Sequence, residues 1–260
     1  MDSASVDSEH ASSLAASSPS SSDSATAGGG YRGPSVGAAK GFAVLAESAI
    51  TALDSSRVTG NLGVSGGSVA NITGFDAIPV LKFGIDSGAP NTLRTTLTQR
   101  EVDALVDDID VRACHTDYAN LARDAQGDMT IRPGVTCLNG SKSDLLLQGR
   151  ITFDAGGDPN AFFVIRSNYT LTVADGTQVV LVNGAQGCGI FWHAQQQVSL
   201  GSGVEIFGTV IAGTGITLQP GTALVGRALA RTAAVVLERS TITLPLFDVV
   251  AAAGTCTHLQ

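Results

Sequence analysis

Thr152, Thr172, Ser199 and Thr217 each lie between two apolar residues, in Ile151-Thr152-Phe153, Leu171-Thr172-Val173, Val198-Ser199-Leu200 and Ile216-Thr217-Leu218. Val235-Val236-Leu237 repeats the cassette with valine at its centre. The five starts are spaced 20, 27, 18 and 19 residues apart, a near-constant period of the kind that marks a solenoid. Strand alternation sends the apolar flanks to one face and the centre to the other. Stacked coils would place the hydroxyls in a column, one coil rise of about 4.7–4.9 Å apart. With no Ser/His/Asp order around them, the chemistry of such a column is to hold ordered water. A flat, regular hydroxyl array suits a surface that meets something periodic.

The elements that must position this column are legible in the same period. Asp175-Gly176, Ser202-Gly203 and Pro220-Gly221 follow their cassettes at a fixed distance, and Arg239-Ser240 takes that place in the last coil. Glycine supplies the positive φ of a sharp corner. A second strand is expected after each corner, at 177–179, 204–206, 222–224 and 241–243, and a third at 162–165, 190–192, 209–212 and 227–230. Three strands and three corners in each coil describe a mainly β fold, a parallel β-helix of triangular cross-section. A β-sandwich is the alternative, but it has no reason to repeat one glycine offset.

Composition agrees. The chain has 260 residues, 43% of them hydrophobic but only 5% aromatic, and 31 glycines. Its core is therefore built from small and β-branched side chains, as a narrow solenoid requires. A net charge of −8, with 15% charged residues and no basic run, disfavours nucleic acid and anionic membranes as partners. No apolar stretch reaches the length of a membrane span. Residues 1–33, rich in Ser, Ala and Gly, are expected to be a disordered tail, or a low-complexity linker that carries sugars. They lack the basic start and apolar core of a secretion signal, so an exported form is expected to have had its signal removed or replaced. The folded domain is expected over 34–260.

A helical excursion is expected over about 86–126. Thr98-Gln99-Arg100-Glu101 has the spacing of a capping box. Val102, Leu105, Val106, Ile109 and Ala113 form one apolar stripe, which must dock. The third strands are its best receiver, with Val210-Ile211-Ala212 and Ala228-Leu229-Ala230 apolar on both faces, and Ala228 and Ala230 small enough for close approach. Asp107, Asp108 and Asp110 read as a solvated helix face rather than a cation site.

Cys114, Cys137, Cys188 and Cys256 lack Cys-x-x-Cys spacing, which points to two disulfides in an oxidising compartment and away from zinc. Three pairings are possible; we favour Cys114 with Cys137 and Cys188 with Cys256. The sequons at Asn71, Asn139 and Asn168 are compatible with export.

Several blocks carry a family resemblance. They are Val36-Gly37-Ala38-Ala39-Lys40-Gly41-Phe42-Ala43-Val44-Leu45-Ala46, Val58-Thr59-Gly60-Asn61-Leu62-Gly63-Val64-Ser65, Ile72-Thr73-Gly74-Phe75, Gly157-Asp158-Pro159-Asn160-Ala161-Phe162-Phe163, Val182-Asn183-Gly184-Ala185-Gln186-Gly187-Cys188, Phe191-Trp192 and Gly226-Arg227-Ala228-Leu229-Ala230. From about Val36 to Leu244 the chain resembles the β-solenoid ice-binding (antifreeze) proteins of sea-ice diatoms, snow algae, cold-adapted fungi and bacteria. The resemblance implies a right-handed β-helix with a long α-helix packed along one face. It also implies N-terminal coils that touch coils distant in sequence, and adsorption to ice through a flat uncovered face. Some members carry Thr-Ala/Gly-x-Thr/Asn on that face, a pattern that Thr214-Gly215-Ile216-Thr217 matches.

Ice is a reasonable partner on physical grounds. Its surface is water already hydrogen-bonded to itself, so a charged face would order its own hydration too disruptively and a purely apolar one could not anchor lattice water. Threonine offers both groups, its hydroxyl holding bridging water and its methyl constraining it, and a rigid face loses little entropy on docking. Adsorbed molecules would force ice to grow in curved fronts, giving thermal hysteresis and inhibiting recrystallisation. The expected contact residues are Thr152, Thr170, Thr172, Ser199, Gly215 and Thr217. A competing column would expose Gln178, Glu205, Ala223 and Ile242, with a carboxylate in its middle.

Two other functional classes also use β-helices. A carbohydrate-active β-helix needs paired acids in a cleft, whereas Asp154, Asp175, Glu205 and Glu238 take different cassette positions, and His115, His193 and His258 show no ligand spacing. An extracellular adhesin or glycan-binding module could use the same flat face. No cofactor or metal is expected, and the protein is read as a secreted monomer, because a second copy on the flat face would occlude it.

Overall fold

The computed structural model describes residues 33–75, 82–83, 89–117, 128–138 and 145–244. Within them the chain winds as a parallel β-helix with three walls. The cassette wall is a seven-stranded sheet whose spatial order is Leu145–Leu147, Leu171–Val173, Val198–Leu200, Ile216–Leu218, Val235–Glu238, Ile50–Leu53 and Ile72–Thr73. The other two walls form one 14-stranded sheet. They are joined because Glu205–Ala212 and Ala223–Ala230 run through both. Every strand pair is parallel, and the N-terminal coils stack on the last C-terminal coil, Ile50 beside Val235. That return across the sequence is what the resemblance implied.

The corners follow from backbone chemistry. After the cassettes, Gly176, Gly203 and Gly221 take φ of 68°, 69° and 80°, and Arg239 holds the same place at φ 41°. These corners stack through backbone bonds, Gly176 N–H to Ser202 O at 2.9 Å and Gly221 N–H to Arg239 O at 2.9 Å. Just inside them, hydroxyls donate to corner carbonyls. Thr222 Oγ1 donates to Gly201 O at 2.7 Å and Ser56 Oγ to Leu53 O at 2.7 Å. Buried polar groups left without such partners would be costly.

Valine, isoleucine and leucine fill the interior, with one aromatic cluster in the early coils. There Phe153 meets Phe163 and Trp192 edge to face at centroid distances of 5.2 and 5.4 Å. Trp192 Nε1 donates to Phe207 O at 2.9 Å, so the buried indole keeps its hydrogen bond.

The helix α1, Ala89–Val111, lies on the third wall. Val102, Leu105, Val106 and Ile109 are buried in a second apolar cluster with Phe162, Val164, Phe191, Ile211 and Leu229. Three details differ from expectation. Thr98 is no cap: it lies within the helix, buried, its Oγ1 donating to Arg94 O at 2.7 Å, because α1 begins nine residues earlier. Ala113 lies beyond the helix end and is exposed. Ala228 and Ala230 point into the solenoid, and the strand's alternation hands Ile211 and Leu229 to the helix instead.

Arg166 secures the helix C-terminus. Its Nη1 donates to Ile109, Asp110 and Arg112 carbonyls at 2.9, 2.7 and 3.1 Å, meeting the unsatisfied, negatively polarised end of the helix with a cation. Its other amine lies 3.2 Å from both sulfurs of the Cys114–Cys137 disulfide, the pairing we favoured. Cys188 is also disulfide-bonded; Cys256 lies outside the described residues, as does the tail expected over 1–33, apart from Gly33.

Candidate functional site

The cassette centres form one row across all seven strands of their wall. Leu146 pairs with Thr172, Thr172 with Ser199, Ser199 with Thr217, Thr217 with Val236, Val236 with Thr51, and Thr51 with Thr73. In the middle coils each centre is partly exposed between two buried apolar neighbours. The burial of those neighbours in the core fixes the register, since a one-residue slip would turn every hydroxyl inward. Five of the seven positions carry a hydroxyl, and none carries a charge.

A second row borders the first at the preceding corner. Leu171 N–H donates to Gln197 O at 2.9 Å, Val198 N–H to Gly215 O at 3.1 Å, Ile216 N–H to Ala234 O at 3.1 Å, and Val235 N–H to Ala49 O at 3.0 Å. Thr170 precedes Leu171 at the same position. The row therefore reads Thr170, Gln197, Gly215, Ala234 and Ala49: two polar side chains, then a low floor. Thr170 and Gly215 stand beside the hydroxyl row.

Thr152 does not join it. Ile151-Thr152-Phe153 pairs with Val179-Val180-Leu181 on one side and Met129-Thr130-Ile131 on the other, so Thr152 belongs to the second wall. Its slot in the cassette row is filled by Leu146, 48% exposed. The cause is extra chain in the early coils, around Gly156–Asp158 and Asn183–Gly187. There Gly157 N–H bonds Asn183 O at 2.8 Å and Asn183 Nδ2 donates to Asp154 Oδ1 at 2.8 Å. Those insertions lengthen a coil while leaving an apolar-Thr-apolar triplet one wall away, at a spacing that mimics the period.

Thr51 and Thr73 were missed. Both lie in the same apolar-Thr context, Ile50-Thr51-Ala52 and Ile72-Thr73. Their signal was the cassette itself, hidden because these coils precede the helix in sequence and follow the last coil in space. Ser48-Ala49-Ile50-Thr51 then parallels Thr214-Gly215-Ile216-Thr217, and Ser48 N–H donates to Ala233 O at 3.4 Å just as Thr214 N–H donates to Gln196 O at 3.1 Å.

The second wall is the other face that the described residues leave uncovered. Its register aligns Gln178, Glu205, Ala223, Thr241 and Arg57. Ile242, expected outward, is 1% exposed and belongs to the core, because it pairs with inward Leu224. Thr241 and Thr243 are the exposed residues of that strand. This wall carries charge along one row at Arg57, Glu205 and Arg150, and an Arg132–Asp154 ion pair at 3.1 Å. The carboxyl of Asp154 is held below its usual range by the Asn183 amide, then by Gly156 N–H and the Arg132 charge. Phe207 stands in the middle, between Ile206 in the core and Gly208 at the corner. The third wall lies under α1.

Among the described residues the one cluster with metal-ligand geometry is Cys114, Asp117 and Cys137, and its sulfurs are joined in the disulfide. Asp108 of the helix's acidic group faces Arg112 at 2.9 Å. No helix of the described residues is long and apolar enough to cross a membrane. Of the three sequons, Asn168 is exposed at the corner entering the cassette wall and Asn71 accepts Ser68 N–H at 2.9 Å; Asn139 lies outside the described residues.

Residues 44–243 match the family model described as ice-binding-like. A protein of Nostoc sp. named ice-binding protein is 33% identical over 214 residues, 80% of this chain and 72% of the relative. One of Flavobacterium frigoris with the same name is 28% identical over 216 residues, 81% of this chain and 76% of its own. Among solved structures, an ice binding protein from an Antarctic biological consortium superposes with a TM-score of 0.69 at 32% identity, covering 82% of this chain and 91% of that one. A glycosylated ice-binding protein from an Arctic yeast reaches a TM-score of 0.74 over 85% and 98%, and at 24% identity it speaks to the fold.

Proposed function

The chain belongs to the ice-binding-like family, and from that premise we propose that it adsorbs to ice through the cassette wall, producing thermal hysteresis and inhibiting recrystallisation. One observation carries the choice of wall: Thr172, Ser199 and Thr217 stand in unbroken register, and the row is extended by Thr51 and Thr73 without a charge. Thr170 and Gly215 border that row. Thr152 is not part of this surface.

Neighbouring centres along the row are one strand spacing apart, about 4.8 Å, and are held by the buried flanks of each strand. Ordered water bound to such hydroxyls can merge with lattice water without rearranging the protein, so the entropy lost on docking is small. The family premise also favours a non-enzymatic role, since the matched relatives are named ice-binding proteins. We take the protein to act outside the cell, where the Cys114–Cys137 disulfide is stable, and as a monomer, which keeps the flat wall free for ice.

The test is ice-crystal shaping and recrystallisation inhibition by the purified, oxidised protein, with Thr217→Tyr and Val225→Tyr beside it. Thr217→Tyr is expected to remove most activity while Val225→Tyr, on the second wall, retains it. The reverse result would move the site to the second wall, and crystals growing as in buffer with all three proteins would refute ice binding.

A further inference from the structure

Gln196 and Gln197 are adjacent, exposed, and reach in opposite directions along the solenoid. Gln196 Oε1 accepts a hydrogen bond from Thr170 Oγ1 of the preceding coil at 3.3 Å, and Gln197 Nε2 donates one to Thr217 Oγ1 of the following coil at 3.4 Å. The Thr172–Ser199–Thr217 register makes these three coils consecutive. Resting on the reading of the cassette wall as the ice-contact surface, we propose that Gln196 and Gln197 are positioning residues. They brace the hydroxyls of Thr170 and Thr217 and set which of them offers a proton to bound water and which offers a lone pair.

A threonine on an exposed strand can rotate among staggered χ1 wells, and rotation exchanges the places of its methyl and hydroxyl. A repeating array needs each threonine held in one well and not averaged over several. A side-chain bond made within the protein fixes that arrangement before ice is met, so the entropy is lost on folding and not on adsorption. The bridge also assigns polarity. Thr217 oxygen accepts from Gln197, leaving its own proton to point outward; Thr170 gives its proton to Gln196, leaving its lone pairs to accept from water.

The backbone beneath the bridge is stapled on both sides. Gln195 N–H donates to Ser167 O at 2.9 Å, and Gln197 O accepts from Leu171 N–H at 2.9 Å. Gly215 lies next to Gln197 in the bordering row, and a Cβ there would press on Ala234 O of the following coil at 2.9 Å.

Gln197→Met keeps the chain length and removes the amide. In this variant the three-bond couplings of Thr217 are expected to show χ1 averaging, with melting temperature unchanged. Recrystallisation inhibition is expected to fall about three- to tenfold, the range of one net hydrogen bond. Thr217→Val should lose a similar amount, and the double variant Gln197→Met/Thr217→Val no more than Thr217→Val alone, because both act through one group. A fixed Thr217 rotamer in Gln197→Met, losses that multiply in the double variant, or a drop in melting temperature that accounts for the lost activity would each overturn the proposal. Thr217→Tyr separates the two levels: if it is inactive while Gln197→Met is fully active, the brace alone fails, whereas an active Thr217→Tyr removes the face itself.

Discussion

Thr51 lies directly beside Val236 in the cassette sheet, a contact that joins the first β-coil of the chain to the last. The hydroxyl row is therefore assembled from both ends of the domain, and neither half holds it alone. Because Ile50 and Ala52 are buried beside Val235 and Leu237, burial that holds the N-terminal coil on the solenoid also sets the height of Thr51.

Val236 is the one interruption between Thr217 and Thr51, partly exposed and uncharged. Val236→Thr replaces one methyl by a hydroxyl of similar volume on the water side, so it should fold normally. It would extend the run of hydroxyls from Thr172 through Thr73, and recrystallisation inhibition is expected to improve about twofold, as one further weak water-mediated contact allows. An end-point titration against the parent decides it; a lower activity would mean that the methyl, and not a hydroxyl, is what this position contributes.

Glycines at two kinds of corner should respond differently to Ala. Gly226 has φ 154°, and a Cβ there would collide with the Gly208 carbonyl of the adjacent coil. Gly226→Ala is expected to cost about 3 kcal/mol or more, seen in denaturant unfolding or as loss of soluble protein. Gly203, at φ 69° with open space around its missing Cβ, should cost only the left-handed backbone penalty of about 1–2 kcal/mol. Equal losses would mean that corner stacking, and not steric room, governs both sites.

Cys114→Ala/Cys137→Ala opens a loop of sequence separation 23. Unfolding free energy should fall by about 3 kcal/mol. Ice shaping at low temperature should persist, because Arg166 still binds three carbonyls at the helix end and the helix lies on a different wall from the row. Loss of shaping in a variant that remains folded would show that the helix wall communicates with the cassette wall.

The period, the corner residues and the three-wall coil were legible because solenoid stacking repeats one local solution, and each coil states it again. The offset places Arg239-Ser240 at the last corner but sets Ser240 in the glycine's position, whereas it is Arg239 that takes the positive φ. What escaped was whatever depends on one coil differing from the next. Thr152 was misassigned because insertions in the early coils shifted a matching triplet onto another wall. Ile242 is expected outward because Gln178, Glu205 and Ala223 each stand seven residues after their cassette start, whereas the last corner is one residue shorter, so that Thr241 stands beside Ala223 and Ile242 beside inward Leu224. Thr51 and Thr73 were hidden by chain order, since a linear period cannot show that the solenoid's last neighbour is its first β-coil.

His193 lies beneath α1 with no solvent exposure. Its Nδ1 is 3.6 Å from Asp110 Oδ1, and the guanidiniums of Arg231 and Arg166 also face it. Burial pushes its pKa down to about 4; Asp110 opposes that shift, and the two arginines reinforce it. The unfolded chain binds a proton near the ordinary histidine value of about 6.5, whereas the folded protein does not until near pH 4. This residue therefore costs no stability above about pH 6.5, and it destabilises the fold progressively as pH falls between the two values. By pH 4.5 the loss is about 2–3 kcal/mol. Carboxylates titrate in part of the same range, so the informative comparison is denaturant unfolding of the parent and His193→Gln at pH 7 and 4.5. The variant is expected to lose less stability between the two conditions by about that amount, and identical pH dependence would show that His193 gains its proton in the folded state with no penalty.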